Sequence, residues 1–181
     1  MQVQTTRFGA ITINESDLIQ FNEGLLGFSD LRKFVLLDDP HDEIFAWLQS
    51  CENPAVAFPI LEPELFITEY KPTLTKNDLQ SLSLDSTSRQ RLFSIITIPD
   101  DVTQMTANLK APVVINVKTR TARQIVVQEN DLPIKFPVFV ELQKRVVQNP
   151  KAEIKSQAVD WGVAVRLPAD HSKKPSSELN A

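Results

Sequence analysis

The residues able to do chemistry are few. The 181-residue chain holds two histidines and one cysteine. His41 stands in an acidic turn, where Asp38, Asp39, His41 and Asp42 form a compact set of oxygen and nitrogen donors. The set lacks the spacing and the glycine of a calcium-binding loop, so it reads as a solvated turn rather than a metal site. His171 lies in a polar tail. Neither histidine is placed in a strand-lined cleft, as a general base would be. Cys51 has no nucleophile signature around it and reads as a small hydrophobe near a strand end. Four glycines are too few, and wrongly spaced, for a phosphate-cradling or dinucleotide loop. Carboxylate pairs are too common in an acidic chain for one to be singled out. The expectation is a protein with no catalytic residue, no metal and no cofactor.

Charge is more informative. The formal net charge is −4, from 19 basic and 23 acidic residues. No Lys or Arg occurs from Phe34 to Tyr70, a stretch that carries Asp38, Asp39, Asp42, Glu43, Glu52, Glu62, Glu64 and Glu69. From Lys110 to Lys151 the balance reverses, with Glu129, Asp131 and Glu141 the only acids. One reading is a set of solvated loop charges. The other is an acidic face that recruits a basic partner, with Asp38, Asp39, Asp42, Glu43, Glu62, Glu64 and Glu69 as candidate contacts. Lys118, Arg120 and Arg123 crowd a predicted hairpin, and Lys144 and Arg145 a late helix. Aromatic residues are not interleaved with them, so no base-stacking platform is expected. An RNA-binding β-barrel module stands as the alternative reading.

The elements that must position these residues are mostly short strands. Val3, Thr5, Ile11 and Ile13 alternate with polar residues around Gly9 and predict an opening hairpin. Short β segments follow at residues 18–21, 34–37, 45–50 and 55–61. Ser29 is placed to cap one helical turn through Lys33, and Thr75 with Asp78 three residues on to cap a helix to Leu82. Four β runs follow, at residues 92–98, 104–109, 112–117 and 121–128. A helix is predicted over 139–147, with Val138, Leu142 and Val146 on one face.

Strands punctuated by Pro and Asp turns predict a mostly β fold, a small antiparallel β-barrel-like or sandwich domain with a few short helices. The expected division is a β domain over 1–149 and a C-terminal extension over 150–181. In that extension Trp161, Val163, Val165 and Leu167 alternate and share one strand face. The face must be buried, either on the barrel's own edge or across a partner-binding surface, with Asp170 to Ala181 trailing as disordered chain. A lone cysteine, no apolar run of about 20 residues and no signal-peptide pattern point to the cytosol, with no membrane partner.

Several segments in order resemble one family. They are Thr6-Arg7-Phe8-Gly9 with Ile11-Thr12-Ile13, then Phe21, Gly24, Leu25, Gly27 and Phe28, then Phe45, Trp47, Leu48, Gln49 and Ser50. Ala57-Phe58 follows with Pro63, Phe66 and Tyr70, and then Ile96-Thr97-Ile98-Pro99. The longest run is Thr106-Ala107-Asn108-Leu109-Lys110-Ala111-Pro112-Val113-Val114-Ile115-Asn116. Their order and spacing over residues 1–142 resemble the bacterial flagellar assembly factor FliW family. The chain departs at Asn22, where the family usually has Pro, at Leu132, usually aromatic, and in continuing well past Leu142. The resemblance implies a small β-barrel-like domain that binds flagellin in the cytosol. When flagellin is exported, the freed protein binds the translational regulator CsrA, which releases flagellin mRNA. It also draws Asn108 and Asn116 into the candidate contacts. Both flank Ala111-Pro112, where their side chains could equally satisfy turn backbone groups.

Overall fold

The computed structural model describes residues 1–41, 44–85, 88–151 and 153–169. The opening hairpin forms as expected, from β1 (Gln2–Thr5) and β2 (Gly9–Thr12) in antiparallel register. The central strands are β3 (Ile19–Phe21), β4 (Lys33–Asp38), β5 (Ala46–Ser50), β6 (Ala57–Leu61) and β7 (Gln90–Thr97). Helix α1 (Lys76–Ser81) falls between β6 and β7. The chain continues through β8 (Thr106–Ala107), β9 (Val113–Asn116), β10 (Thr121–Gln124) and β11 (Phe136–Pro137). Helix α2 (Val138–Gln148) and β12 (Ala164–Arg166) complete it.

Of the two architectures expected, the barrel is the one found. Strands β3, β4, β5, β6 and β7 pair in sequence order, β7 pairs with β9, β9 with β10, and β10 returns to β3. The seven-stranded sheet therefore closes on itself. Every pairing around the ring is antiparallel except β10 with β3, where Thr121 faces Gln20 and Ala122 faces Phe21. Alternation along β4 explains how both of its faces come to be buried. Phe34 and Leu36 point into the barrel beside Phe21, Leu48, Ile60, Phe93 and Ile115. Val35 and Leu37 point outward, into a second cluster formed with Val3, Phe8, Ile11, Trp47 and Leu167. The opening hairpin is thus a lid on the outside of β4 and β5.

The helices follow their local signals. In α1, Thr75 Oγ1 accepts from the Asp78 N–H at 3.1 Å and Asp78 Oδ2 accepts from the Thr75 N–H at 2.8 Å, the reciprocal cap expected from the sequence. In α2, Val138 and Leu142 bury against Phe66, Ile96 and Leu109. Val146, expected on the same face, is half exposed because the last turn runs past that cluster. No helical turn forms after Ser29. The β3 Phe21 N–H takes the Arg32 carbonyl, and the Arg32 guanidinium bonds back to Asn22 O and Ser29 O, so the segment is a turn leading into β4. Gly24 sits inside this turn with φ +67°, and a Cβ there would come within 2.7 Å of Phe28 O.

The β run expected over 104–109 shortens to β8, because Asn108 folds the chain back after Ala107. The predicted strand face in the C-terminal segment is divided. Gly162, at φ +71°, turns the chain before β12 begins. Trp161 and Val163, on either side of that turn, pack with the barrel interior, and Val165 and Leu167 with the outer cluster. The tail from Asp170, expected to be disordered, lies outside the described residues.

Candidate partner-binding face

The acidic stretch divides into carboxylates turned inward and carboxylates left at the surface. Asp38 continues the inward face of β4 and is 1% exposed. Its Oδ2 accepts from Arg166 Nε at 3.1 Å, and Lys155 Nζ lies 3.8 Å from its Oδ1. Glu62, just after β6, is also 1% exposed. Ser156 Oγ donates to its Oε1 at 2.6 Å and the Gln157 N–H to its Oε2 at 3.0 Å. Burial pushes the Glu62 carboxyl above its ordinary range, partly offset by those two donors. Both acids thus hold the segment that follows α2.

Asp39 is half-buried and its Oδ1 accepts from the His41 N–H at 2.9 Å. Glu64 and Glu69 are exposed. Asp42 and Glu43 lie outside the described residues. Glu52, exposed at the β5–β6 turn, accepts the Arg32 and Lys33 N–H groups, which holds its carboxyl below the ordinary range.

The two asparagines sit at turns. Asn108 Oδ1 accepts from the Lys110 and Ala111 N–H groups, both at 3.0 Å. Asn116, at the end of β9, donates from Nδ2 to Leu82 O at 2.9 Å and accepts at Oδ1 from the Lys118 and Thr119 N–H groups. The side chain therefore ties the β9–β10 turn to the end of α1.

The basic hairpin is largely spent on internal contacts. Arg120 donates to Val163 O at 2.9 Å and to Gly162 O at 2.7 Å. Arg123 meets Glu23 at 3.2 Å and Asp78 at 3.4 Å. The Arg91 guanidinium lies 4.0 Å from the Trp161 ring centroid, and that ring packs 6.3 Å from Phe93. Together with Glu62, Glu64 and Tyr70, Arg91 and Trp161 line a cavity of about 170 Å³. Neither Arg91 nor the anchoring role of Arg120 is legible in the sequence. Their partners are tens of residues away, and no local spacing signals them.

Among the described residues no group of three His, Cys, Asp or Glu could hold a metal ion, and no helix is long and apolar enough to cross a membrane. Cys51 is half-buried, and burial, with Glu52 beside it, pushes its thiol up to about 11.

A closed barrel filled with side chains leaves its rim and outer faces, rather than an interior cleft, to meet other molecules. These features define a β-barrel scaffold with charged outer surfaces. The family model described as FliW protein matches residues 2–138. A flagellar assembly factor FliW of Bdellovibrio bacteriovorus is 61% identical over 167 residues, 92% of this chain and 95% of that protein. One of Ruminiclostridium cellulolyticum is 33% identical over 148 residues, 81% of this chain and 100% of that protein. A crystal structure of the flagellar assembly factor FliW superposes with a TM-score of 0.72 at 33% identity, over 77% of this chain and 97% of that one. The chain belongs to the FliW family of flagellar assembly factors.

Proposed function

We propose that this protein acts in the cytosol by binding flagellin and, when flagellin has been exported, by binding and antagonising a CsrA-type translational regulator, so that flagellin mRNA is released for translation. The role is non-catalytic. Family membership over the whole barrel supports the flagellar assignment. The observation that carries the regulator half is the acidic stretch itself. Glu64 and Glu69 stand at the surface of a segment that has no Lys or Arg from Phe34 to Tyr70, and Asp39, earlier in the same segment, is half-buried. A regulator that holds RNA must present a basic surface, and complementary potentials favour that encounter. In this reading Asp39, Glu64 and Glu69 make direct contact, together with Asp42 and Glu43 of the same stretch. Asp38 and Glu62 contribute when the segment bound to them is released, and Asn108 and Asn116 hold the turns that shape the surface.

The RNA-binding alternative has less support, because Arg120 and Arg123 are engaged by the protein itself. The deciding experiment is capture of partners from a flagellated cell lysate on the purified protein, with and without nuclease, followed by binding kinetics with purified flagellin and CsrA. Nuclease-resistant capture of both is expected. The association rate with CsrA should fall with added salt, since charges at the surface are screened over about 8 Å at physiological ionic strength. Capture abolished by nuclease would favour RNA, and a salt-independent association rate would remove the acidic face from the account.

A further inference from the structure

β3 pairs with β4 at Lys33 and Phe34, so residues 36–38 present an edge that no ring strand covers among the described residues. β12 lies on that edge in parallel, with Ala164 beside Leu36, Val165 beside Leu37 and Arg166 beside Asp38. The Leu167 N–H extends the ladder by donating to Asp38 O at 2.9 Å. The side chains alternate apolar, basic, apolar. Val165 and Leu167 enter the outer cluster with Val35, Leu37 and Trp47, and Arg166 turns the other way to the Asp38 carboxylate. Upstream, Lys155 reaches the second Asp38 oxygen, and Trp161 is pinned between Arg91 and Phe93.

This is how an extended peptide adds to a sheet edge: main-chain bonds supply affinity and alternate side chains supply specificity. The edge belongs to the part of the chain shared across the family, whose match ends at residue 138. The strand on it lies beyond that match, and the Ruminiclostridium relative is complete within 148 aligned residues. The barrel therefore carries an edge that, in this protein, an added piece of its own chain covers.

We infer that residues 36–38 of β4 form a strand-addition surface for an extended apolar–basic–apolar segment of a partner protein, and that residues 153–169 occupy this surface in competition with it. The inference takes the identity of the partner from the proposed function; the surface itself can be tested without it. A tethered competitor acts at an effective concentration fixed by its linker, so it weakens the partner's apparent affinity without altering the contact the partner makes. Its departure also uncovers Asp38 and Glu62, which adds two carboxylates to the acidic face.

The surface is tested with the full-length protein and a fluorescein-labelled peptide of residues 153–169. Trp161→Ala with Arg166→Ala in the protein loosens the resident segment. The loosened protein should bind the peptide at least tenfold more tightly than the wild type. A peptide carrying Arg166→Glu should bind at least tenfold more weakly than its parent. Equal peptide binding by loosened and wild-type protein with unchanged circular dichroism, or equal binding of the two peptides, overturns the inference. If the double variant does not fold, Arg166→Ala alone replaces it under the same criteria. Competition is read by hydrogen exchange on the wild type. Saturating flagellin or CsrA should speed exchange at the Leu167 amide at least tenfold while β4 stays protected. A Leu167 amide that remains protected in the complex overturns the competition. If neither protein binds, the partner reading fails and the peptide measurement alone decides the surface.

Discussion

Asp38 and Arg166, 128 residues apart in the chain, meet through one hydrogen bond of 3.1 Å between Oδ2 and Nε, which fastens β12 to the barrel. The carboxylate is almost wholly buried and the guanidinium more than half exposed, so the two ends of the bond are unequal. Removing the arginine costs Asp38 a solvent-screened partner and leaves it the longer contact with Lys155. Removing the aspartate frees both bases from β4 at once.

Arg166→Ala should therefore lower stability by about 1 kcal/mol, and Asp38→Ala by about 2 kcal/mol, in urea unfolding followed by circular dichroism. An Asp38→Ala variant no less stable than Arg166→Ala would mean that the buried carboxylate does not organise the contact.

Glu62 gives a pH signature. Its carboxyl is raised above the ordinary 4.5, chiefly by burial. A raised folded value means that the folded chain holds the proton more tightly than the unfolded chain. That contribution to stability is fully present below the unfolded value and is lost as pH rises through the folded one. Glu62→Gln should cancel this dependence. Relative to the variant, the wild-type urea midpoint is expected to fall as pH rises from about 4.5 into the neutral range. Midpoint curves that run parallel for the two proteins would mean that burial does not raise the Glu62 carboxyl.

Asn116 is 1% exposed and bonds to four backbone groups, two carbonyls after α1 and two N–H groups of the β9–β10 turn. Asn116→Ala strands all four and should cost about 2–3 kcal/mol. Asn116→Asp keeps the acceptor but sets a carboxylate against two carbonyls, and should be no better tolerated. Partner binding per folded molecule should be unchanged in both, measured at a temperature where each variant is folded. A binding defect at full foldedness would give Asn116 a contact role.

Cys51, with its thiol pushed up to about 11, is almost wholly protonated at neutral pH. Because the thiolate is the reactive form, a disulfide reagent should modify it about a hundredfold more slowly than an ordinary thiol of pKa near 8.5. Cys51→Ser should leave the proposed partner binding intact. Rapid modification of the native protein would place the thiol in a more polar setting than the fold gives it.

Local signals in the sequence translated directly. Thr75 and Asp78 cap α1 because both halves of the reciprocal bond lie within four residues. The alternation around Gly9 produced the hairpin because its two strands are neighbours in the chain. What could not be read were pairings between distant segments. Period-two alternation assigns a residue to a face but says nothing about which edge its strand will join, so the parallel β3–β10 contact had no signal, and the C-terminal strand, expected to dock on the barrel's own edge or on a partner-binding surface, gave no sign that β4 would supply that edge. The acidic stretch shows the same limit. Asp38 and Glu62 look like Glu64 and Glu69 in sequence, and differ because residues 155–166 return to cover the first two. Lys118 and Arg120 likewise share a hairpin, yet only Arg120 finds carbonyls of the returning segment.

Ring closure also sets the tempo of folding. Gln20 must wait for Thr121, about a hundred residues later, before the β3–β10 seam can form. Loop-closure entropy is lost before such a contact gives anything back, and topologies dominated by distant pairings fold in roughly milliseconds to seconds. On the ribosome the barrel cannot seal until β10 has emerged, so β3 keeps an unpaired edge while about a hundred further residues are made. Stopped-flow refolding monitored by tryptophan emission should show its main phase in that time range, and a microsecond main phase would mean that the seam is not the late event.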